Sequence, residues 1–295
     1  MASINTMEIT KISGLSNLDF LVAEVDKLVS LPDIYYRLES AIESPSSTVE
    51  DFAKLLGSDP DLCARLLSLA NSAFYSFPAK VETIDRAVGM IGLRQIRELV
   101  LVTTVLKAFS KIPIEIVNMT SFWQHSVAVG VLAKSIAQYA GLPQSERYYI
   151  VGLLHDIGRL VMYIKLPGFM SDLLIKSKQQ EQNLFVLEQQ QLGYTHAEIG
   201  GRLLEYWKVP QSIHEPVHYH HRPDQASEFV HMSCAVHIAD AWVNKHQVGT
   251  SGERMMPAIM PQAKQILGVE EYEMDEIWDL TVEEINDVIK QFVHH

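Results

Sequence analysis

Gly152-Leu153-Leu154-His155-Asp156-Ile157-Gly158-Arg159 is the stretch on which the reading of the whole chain turns. Leu153, Leu154 and Ile157 belong to a buried run, yet two adjacent polar residues, His155 and Asp156, interrupt it. An unpaired carboxylate in apolar surroundings is costly, so Asp156 needs a cation or a hydrogen-bonded partner. On both sides, segments of 3.6-residue periodicity follow one another, separated by turn signals such as Ser44-Pro45-Ser46-Ser47, Phe77-Pro78, Gly141-Leu142-Pro143 and Lys208-Val209-Pro210. Sustained period-two alternation is missing. The expected fold class is therefore all-α, a two-lobed helical bundle.

Helix ends are readable in several places. Ser47 or Thr48 precedes an acidic first turn at Glu50-Asp51, and Thr195-His196-Ala197-Glu198 has capping-box spacing. Asp59 before Pro60 reads as an N-cap with proline at the first helical position, followed by the apolar stripe Leu62, Leu66, Leu69. Asn71-Ser72 at the end of that helix is expected to satisfy free carbonyls. The segment from Ile84 to Leu106 predicts two helices joined at Gly92, with Arg94 and Arg97 on a solvated or interface face. The charge-rich stretch Lys107 to Asn118, with Pro113 inside it, is the expected connector. That gives an N-terminal extension over 1–19, a helical lobe over 20–112, a second lobe over 113–248 and a C-terminal extension over 249–295. In the extension, Gly249 to Gly252 reads as a flexible turn and Ile266 to Gln291 as acidic helices packed on the second lobe.

Composition bounds the function. With 295 residues, 47% apolar and 20% charged, the chain can bury a large core. The apolar runs Leu99 to Val102 and Val127 to Leu132 fall well short of the roughly 18 residues of a membrane span. Met1 to Thr10 lacks the basic patch and apolar run of a secretory signal, so the cytoplasm is the expected location and no membrane is an expected partner. Cys63 and Cys234 lie far apart in apolar helical patterns and read as small buried side chains, not a disulfide or a cysteine zinc site. The net charge of -12, without a cluster of Lys and Arg, argues against binding a nucleic-acid backbone. A local anion pocket stays compatible with it.

Chemistry is expected in the second lobe, on His125, His155, Asp156, His196, His220, His221 and Asp240. Imidazole nitrogen and carboxylate oxygen are the ligand set for Zn, Fe or Mn, and several helices can project them into one interior. His125 shares a face with Val129, Leu132 and Ile136, which turns it toward a core. A lone histidine there is usually a hydrogen-bonded core residue. It is the combination that suggests a metal. His214, His218 and His221, at i, i+4 and i+7, leave another grouping open. His214, His231, His237 and His246 are read as structural, His218 is left undecided, and His294-His295 is set aside as a tail.

Taken in order, the motifs resemble the HDOD (HD-related output domain) family of bacterial signal-transduction proteins. Asp59-Pro60, Leu66-Leu67, Asn71 to Tyr75 and Ala87 to Leu93 match its N-terminal half. Trp123 to Ser126, Gly152 to Arg159, Leu192 to Gly200, Trp207 to Pro210 and His220 to Pro223 match its C-terminal half. The resemblance covers roughly residues 20 to 245. It implies an all-α fold whose second lobe is similar to the HD superfamily of metal-dependent phosphohydrolases. It also implies a mono- or binuclear divalent metal site, with His125, His155, Asp156 and Asp240 as ligands and His196 with His220 or His221 as the extra ligands of the binuclear HD-GYP branch.

Two departures bear on function. Where HD-GYP phosphodiesterases carry Gly-Tyr-Pro after the paired histidines, this chain reads Arg222-Pro223-Asp224-Gln225, and the lysine three residues past the HD aspartate is Arg159. Arginine still holds phosphate but is a different proton donor. HDOD proteins are regarded as output modules without an established reaction. The preferred expectation is a non-catalytic regulatory module that binds a signalling partner or a small phosphorylated ligand, with or without a metal. The alternative is a phosphohydrolase acting on a nucleotide or other phosphate ester, with Asp156 and Arg159 as its catalytic residues.

Overall fold

The computed structural model of the chain describes residues 18–26, 31, 33–44, 46–71, 80–109 and 116–293. Ser72 to Tyr75 of the N-terminal motif, residues 110–115 of the expected connector and the terminal His294-His295 lie outside them. Among the described residues every regular element is helical, as the periodicity predicts. None of the helices is long and apolar enough to cross a membrane.

The N-terminal helices are α1 (Leu18–Asp26), α2 (Asp33–Glu43), α3 (Val49–Gly57), α4 (Pro60–Ala70), α5 (Ile84–Ile91) and α6 (Leu93–Phe109). Their ends follow from local chemistry. Thr48 and Asp51 form a reciprocal capping box on α3, and Asp59 Oδ1 accepts the Leu62 N–H at 3.0 Å to start α4. Asn71 donates to Leu67 O and Val81 O and accepts from Val81 N, each at 2.7 Å, so it closes α4 and fastens the returning chain. Gly92, at φ 89°, makes the joint between α5 and α6. Arg94 is exposed, whereas Arg97 reaches Glu39 of α2 at 2.8 Å. Cys234 is buried as expected, but Cys63 is only half-buried because it lies one position off the Leu62–Leu66 stripe.

The C-terminal helices are α7 (Met119–Tyr139), α8 (Ser145–Leu154), α9 (Ile157–Lys165), α10 (Pro167–Gln180), α11 (Leu184–Leu192), α12 (His196–Tyr206), α13 (Gln211–Tyr219), α14 (Val230–Lys245), α15 (Pro261–Leu267) and α16 (Glu271–Val293), with a single 3₁₀ turn at Pro223–Gln225. α7 is the axis of this half, packed by α8, α14 and α16. It crosses α8 at Gly130 and Gly152, where a Cβ on Gly152 would stand 2.6 Å from the Gly130 Cα. Only two glycines let the backbones approach this closely, and the crossing brings His125 of α7 alongside His155 at the end of α8. The acidic α16 packs on α7, tied by Lys134 to Glu284 at 3.2 Å, and touches α4 as well.

Candidate metal centre

His155, Asp156, His196, His220 and His221 sit at helix ends, and His125 and Asp240 lie buried within α7 and α14. His155 is the C-cap of α8 and Asp156 the residue before α9, so the His-Asp pair occupies the break between two helices. The break explains how two polar neighbours fit in an apolar run: both point into the interior, with His155 wholly buried and Asp156 3% exposed. His125 comes from α7, His196 opens α12 after the Thr195–Glu198 capping box, His220 and His221 follow α13, and Asp240 lies on α14. Gly158 lets α9 lie against α12, since a Cβ there would overlap the His196 carbonyl oxygen.

All seven predicted residues converge. His125 Nε2 lies 3.2 Å from Asp240 Oδ1 and 3.8 Å from Asp156 Oδ2, and His155 Nε2 lies 3.2 Å from Asp156 Oδ2 and 3.7 Å from Asp240 Oδ1. His196 Nε2 is 2.9 Å from Asp156 Oδ1 and 3.1 Å from His221 Nε2. The His220 ring stands 5.1 Å from that of His155 and 5.3 Å from that of His196. Three sets of ligand atoms each lie within 4.8 Å of one another: His125, His155, Asp240; His155, Asp156, His220; and His196, His220, His221.

The outer nitrogens reveal which tautomers the site favours. His155 Nδ1 donates to Gly152 O at 2.6 Å and His220 Nδ1 donates to Val217 O at 2.7 Å, which leaves each Nε2 turned inward. Those two Nε2 atoms, together with both ring nitrogens of His125, are buried without a hydrogen-bond partner. The contacts to carboxylate oxygens are short but not lined up for hydrogen bonds. Inward Nε2 atoms fixed from behind by backbone carbonyls are the arrangement that presents lone pairs to a cation. These His and Asp groups could hold a metal ion.

Charge balance supports the same fit. The site gathers four buried carboxylates, Asp156, Glu188, Asp240 and Glu253, and one guanidinium, Arg159, which is 1% exposed and faces Asp156, Glu188 and Glu253. Burial works against the charge on Asp156, but Arg159, His155 and His196 outweigh it and hold the carboxyl well below its ordinary range. Burial likewise opposes charge on His155, yet Asp156 and Asp240 raise it to about 10. Burial and the neighbouring imidazoles keep His220 and His221 neutral, far below the usual histidine value. Without a cation, the surrounding carboxylates favour protons on His155 and His196, which reduce the charge deficit. A bound cation would displace them.

Glu188 and Glu253 were not among the predicted residues. Glu188 is wholly buried on α11 and accepts from both the backbone N–H of His196, at 2.9 Å, and its Nδ1, at 2.6 Å. Its sequence signal was its position, four residues past buried Leu184 and beside buried Leu187. Glu253 lies 3.7 Å from Arg159, in a segment with no periodicity to betray it. Arg159 donates to Ser251 Oγ at 3.2 Å, and Tyr163 O–H donates to Ser251 O at 2.7 Å. The glycine-flanked stretch after α14, expected as a flexible turn, is thus fastened to the site, because Arg159 and Tyr163 on α9 need partners once buried.

The other histidines fall outside the cluster. His237 donates from Nδ1 to His220 O and accepts the Met260 N–H, a satisfied structural residue as expected. His246 stacks on Trp278 at 3.9 Å, His231 is exposed and His214 is half-buried. His218, left undecided by sequence, lies against Gly201 and borders a small pocket shared with His221, Phe185 and Arg222.

The model of the HDOD domain family matches residues 28–223. An HDOD domain protein of unknown function from Geobacter sulfurreducens superposes with a TM-score of 0.73 at 25% identity, covering 92% of this chain and 97% of that one. A protein of Shewanella amazonensis SB2B, whose name proposes a phosphohydrolase, superposes with a TM-score of 0.68 at 25% identity, again over 92% and 97%. An uncharacterized protein of Treponema pallidum (strain Nichols) is 28% identical over 209 residues, 69% of this chain. The chain spans 39% of the length of that curated relative.

Proposed function

The chain belongs to the HDOD family, and on that premise we propose that it is a cytoplasmic signal-transduction output module whose His/Asp cluster holds a divalent transition metal in a regulatory, non-catalytic role. His125, His155, Asp156 and Asp240 hold one cation, and His196, His220 and His221 offer a second position. Iron, manganese and zinc all suit this donor set. The helical lobes over 20–112 and 113–248 present the surfaces for a signalling protein or a small phosphorylated ligand, and neither a nucleic-acid backbone nor a membrane is a partner.

One observation carries the regulatory reading: the cluster is closed. His125, His155, His196 and His220 are wholly buried, Asp156 and Asp240 are 3% and 5% exposed, and the pocket at His221 has a volume of about 30 Å³, room for a water and not a nucleotide. Arg159 is engaged as well. Its guanidinium, 1% exposed, is enclosed among Asp156, Glu188, Glu253 and Ser251, which keeps it from solvent.

A second reading, a metal-dependent phosphohydrolase with Asp156 and Arg159 in its catalytic site, is favoured by the likeness to the Shewanella protein and by the excess of buried carboxylate. In it, the metal would lower the pKa of a bound water and so supply hydroxide near neutral pH. Asp156 would help hold the metal and Arg159 would offset charge on phosphate.

Elemental analysis of untagged protein, with hydrolysis assays on p-nitrophenyl phosphate and cyclic di-GMP, separates the readings. Metal in the wild type, none in Asp156→Ala and no turnover by either is the expected result. Sustained hydrolysis that Asp156→Ala abolishes would replace the regulatory reading with the enzymatic one. A wild type that takes up no iron, manganese or zinc would remove the metal from both.

A further inference from the structure

On the far side of the segment that follows α14, a cleft of about 670 Å³ lies between the start of α7, the end of α14 and residues 249–254. Its volume is within the range of small-molecule sites. Ile116, Val117 and Leu174 make its apolar part, and Gln124, Gln247 and Arg254 contribute polar groups. Among the described residues, nothing takes the carboxamides of Gln124 and Gln247 or the guanidinium of Arg254.

The cleft shares its walls with the cluster. Asn244, which lines it, donates from Nδ2 to Asp240 Oδ1 at 2.8 Å. Gly249 sits against the His125 backbone N, and the Thr250 N–H is bonded to Ser121 O at 3.1 Å. Ser251 accepts from Arg159, and Glu253 accepts the first N–H of α11, Leu184, at 2.7 Å. Moving Asn244 or this segment therefore moves a partner of Asp240, of Arg159 or of the helix that carries Glu188.

We propose that this cleft is a binding site for a nucleoside monophosphate, and that its occupancy is coupled to the metal cluster through Asn244 and residues 249–254. The chemistry selects the class. A carboxamide offers a donor and an acceptor side by side, the complement of a nucleobase edge, and two of them stand unengaged beside an apolar surface suited to a base face. The single guanidinium matches a single phosphate group. Inorganic phosphate would leave the carboxamides and apolar surface unused. A cyclic dinucleotide would bring two phosphates to one cation. The binding site stands apart from the function proposed above, and only the coupling rests on the metal.

The test is calorimetric titration of the full chain with AMP, GMP, CMP, UMP, adenosine and inorganic phosphate. At least one monophosphate is expected to bind more tightly than about 1 mM, with phosphate alone silent. Gln124→Leu should weaken that binding about tenfold or more, as loss of a hydrogen bond at a ligand edge would. Gln247→Gly, at a residue with φ 57° where glycine is tolerated, should do the same. Arg254→Ala should weaken the monophosphate and leave any nucleoside binding unchanged. Silence of all four monophosphates with the wild type, or binding indifferent to both glutamine substitutions, overturns the site. The coupling is read as the Mn²⁺ affinity with and without the monophosphate, and equal affinities overturn it. Monophosphate binding by a wild type that takes up no metal leaves the cleft standing and sinks the metal reading alone.

Discussion

Glu188 Oε2 and His196 Nδ1 are 2.6 Å apart, in full burial, and the same carboxylate oxygen also accepts the His196 backbone N–H. A single side chain on α11 therefore fixes both the start of α12 and the tautomer of its first residue. With Nδ1 protonated toward Glu188, Nε2 faces Asp156 and His221, as a carboxylate-supported metal ligand does.

From that relationship, Glu188→Gln is expected to weaken metal binding by about 10- to 100-fold while leaving the helical content intact. Chelator competition measures the first and circular dichroism the second. Unchanged metal affinity would mean that His196 needs no support from α11.

Metal affinity should fall as pH falls. Burial opposes the charge on His155, but Asp156 and Asp240 prevail, so without metal it keeps its proton up to about pH 10. His196 is raised too: burial and Arg159 act against its charge, and Glu188 and Asp156 outweigh them. A metal must displace the His155 proton, so over pH 6 to 8 the apparent affinity should rise by about tenfold per pH unit on that account. Affinity independent of pH in that range would exclude His155 as a ligand.

Gly158→Ala should destabilise the protein by about 1–3 kcal/mol or more, because its Cβ would overlap the His196 carbonyl oxygen and neither α9 nor α12 can retreat without opening the site. Urea unfolding of wild type and variant gives the difference. A variant of wild-type stability would show that the two helices can separate freely.

Glu215 holds a different joint. It is 4% exposed, and its Oε1 accepts the N–H groups of Ser227 at 2.6 Å, Glu228 at 2.8 Å and Phe229 at 3.4 Å, fastening the turn that leads into α14 and Asp240. Burial opposes its ionisation, but these donors prevail and the carboxyl lies below its ordinary value. A depressed carboxyl contributes stability above its unfolded pKa and loses it as pH falls through the folded one. Glu215→Ala should cost about 1–3 kcal/mol at neutral pH, and the difference from wild type should shrink in acid. A difference that stays constant down to acid unfolding would contradict this role.

What could be read in advance depended on how local the cause was. The capping box at Thr195 and Glu198, the proline start after Asp59 and the glycine joint at Gly92 involve neighbours within a turn, and all three appear as the sequence suggests. His125, Asp240 and the pair His155-Asp156 were legible because each puts an ionisable group into an otherwise apolar run, and His196, His220 and His221 because they fall in motifs that resemble the family's. Glu188 carries the same signal, yet it stands alone among the glutamines of Gln189 to Gln191 and passes for part of a polar face. Asn244, Ser251 and Glu253 carry no such mark. Their roles depend on Asp240 and Arg159, which local spacing cannot bring near them.

Residue order alone determined that the chain is helical, which faces are buried and which residue types could hold a cation, since periodicity, capping and the cost of burying an isolated charge act within a few residues. Only the tertiary structure decided that residues from 125 to 240 close on one another, that residues 249–254 seal Arg159 among carboxylates, and that the cluster is shut while a polar cleft stands behind it. The physical reason is that hydrogen bonds and ion pairs between distant segments depend on how helices pack, and packing is settled by shape at crossings such as Gly130 on Gly152, which no pattern along the chain records.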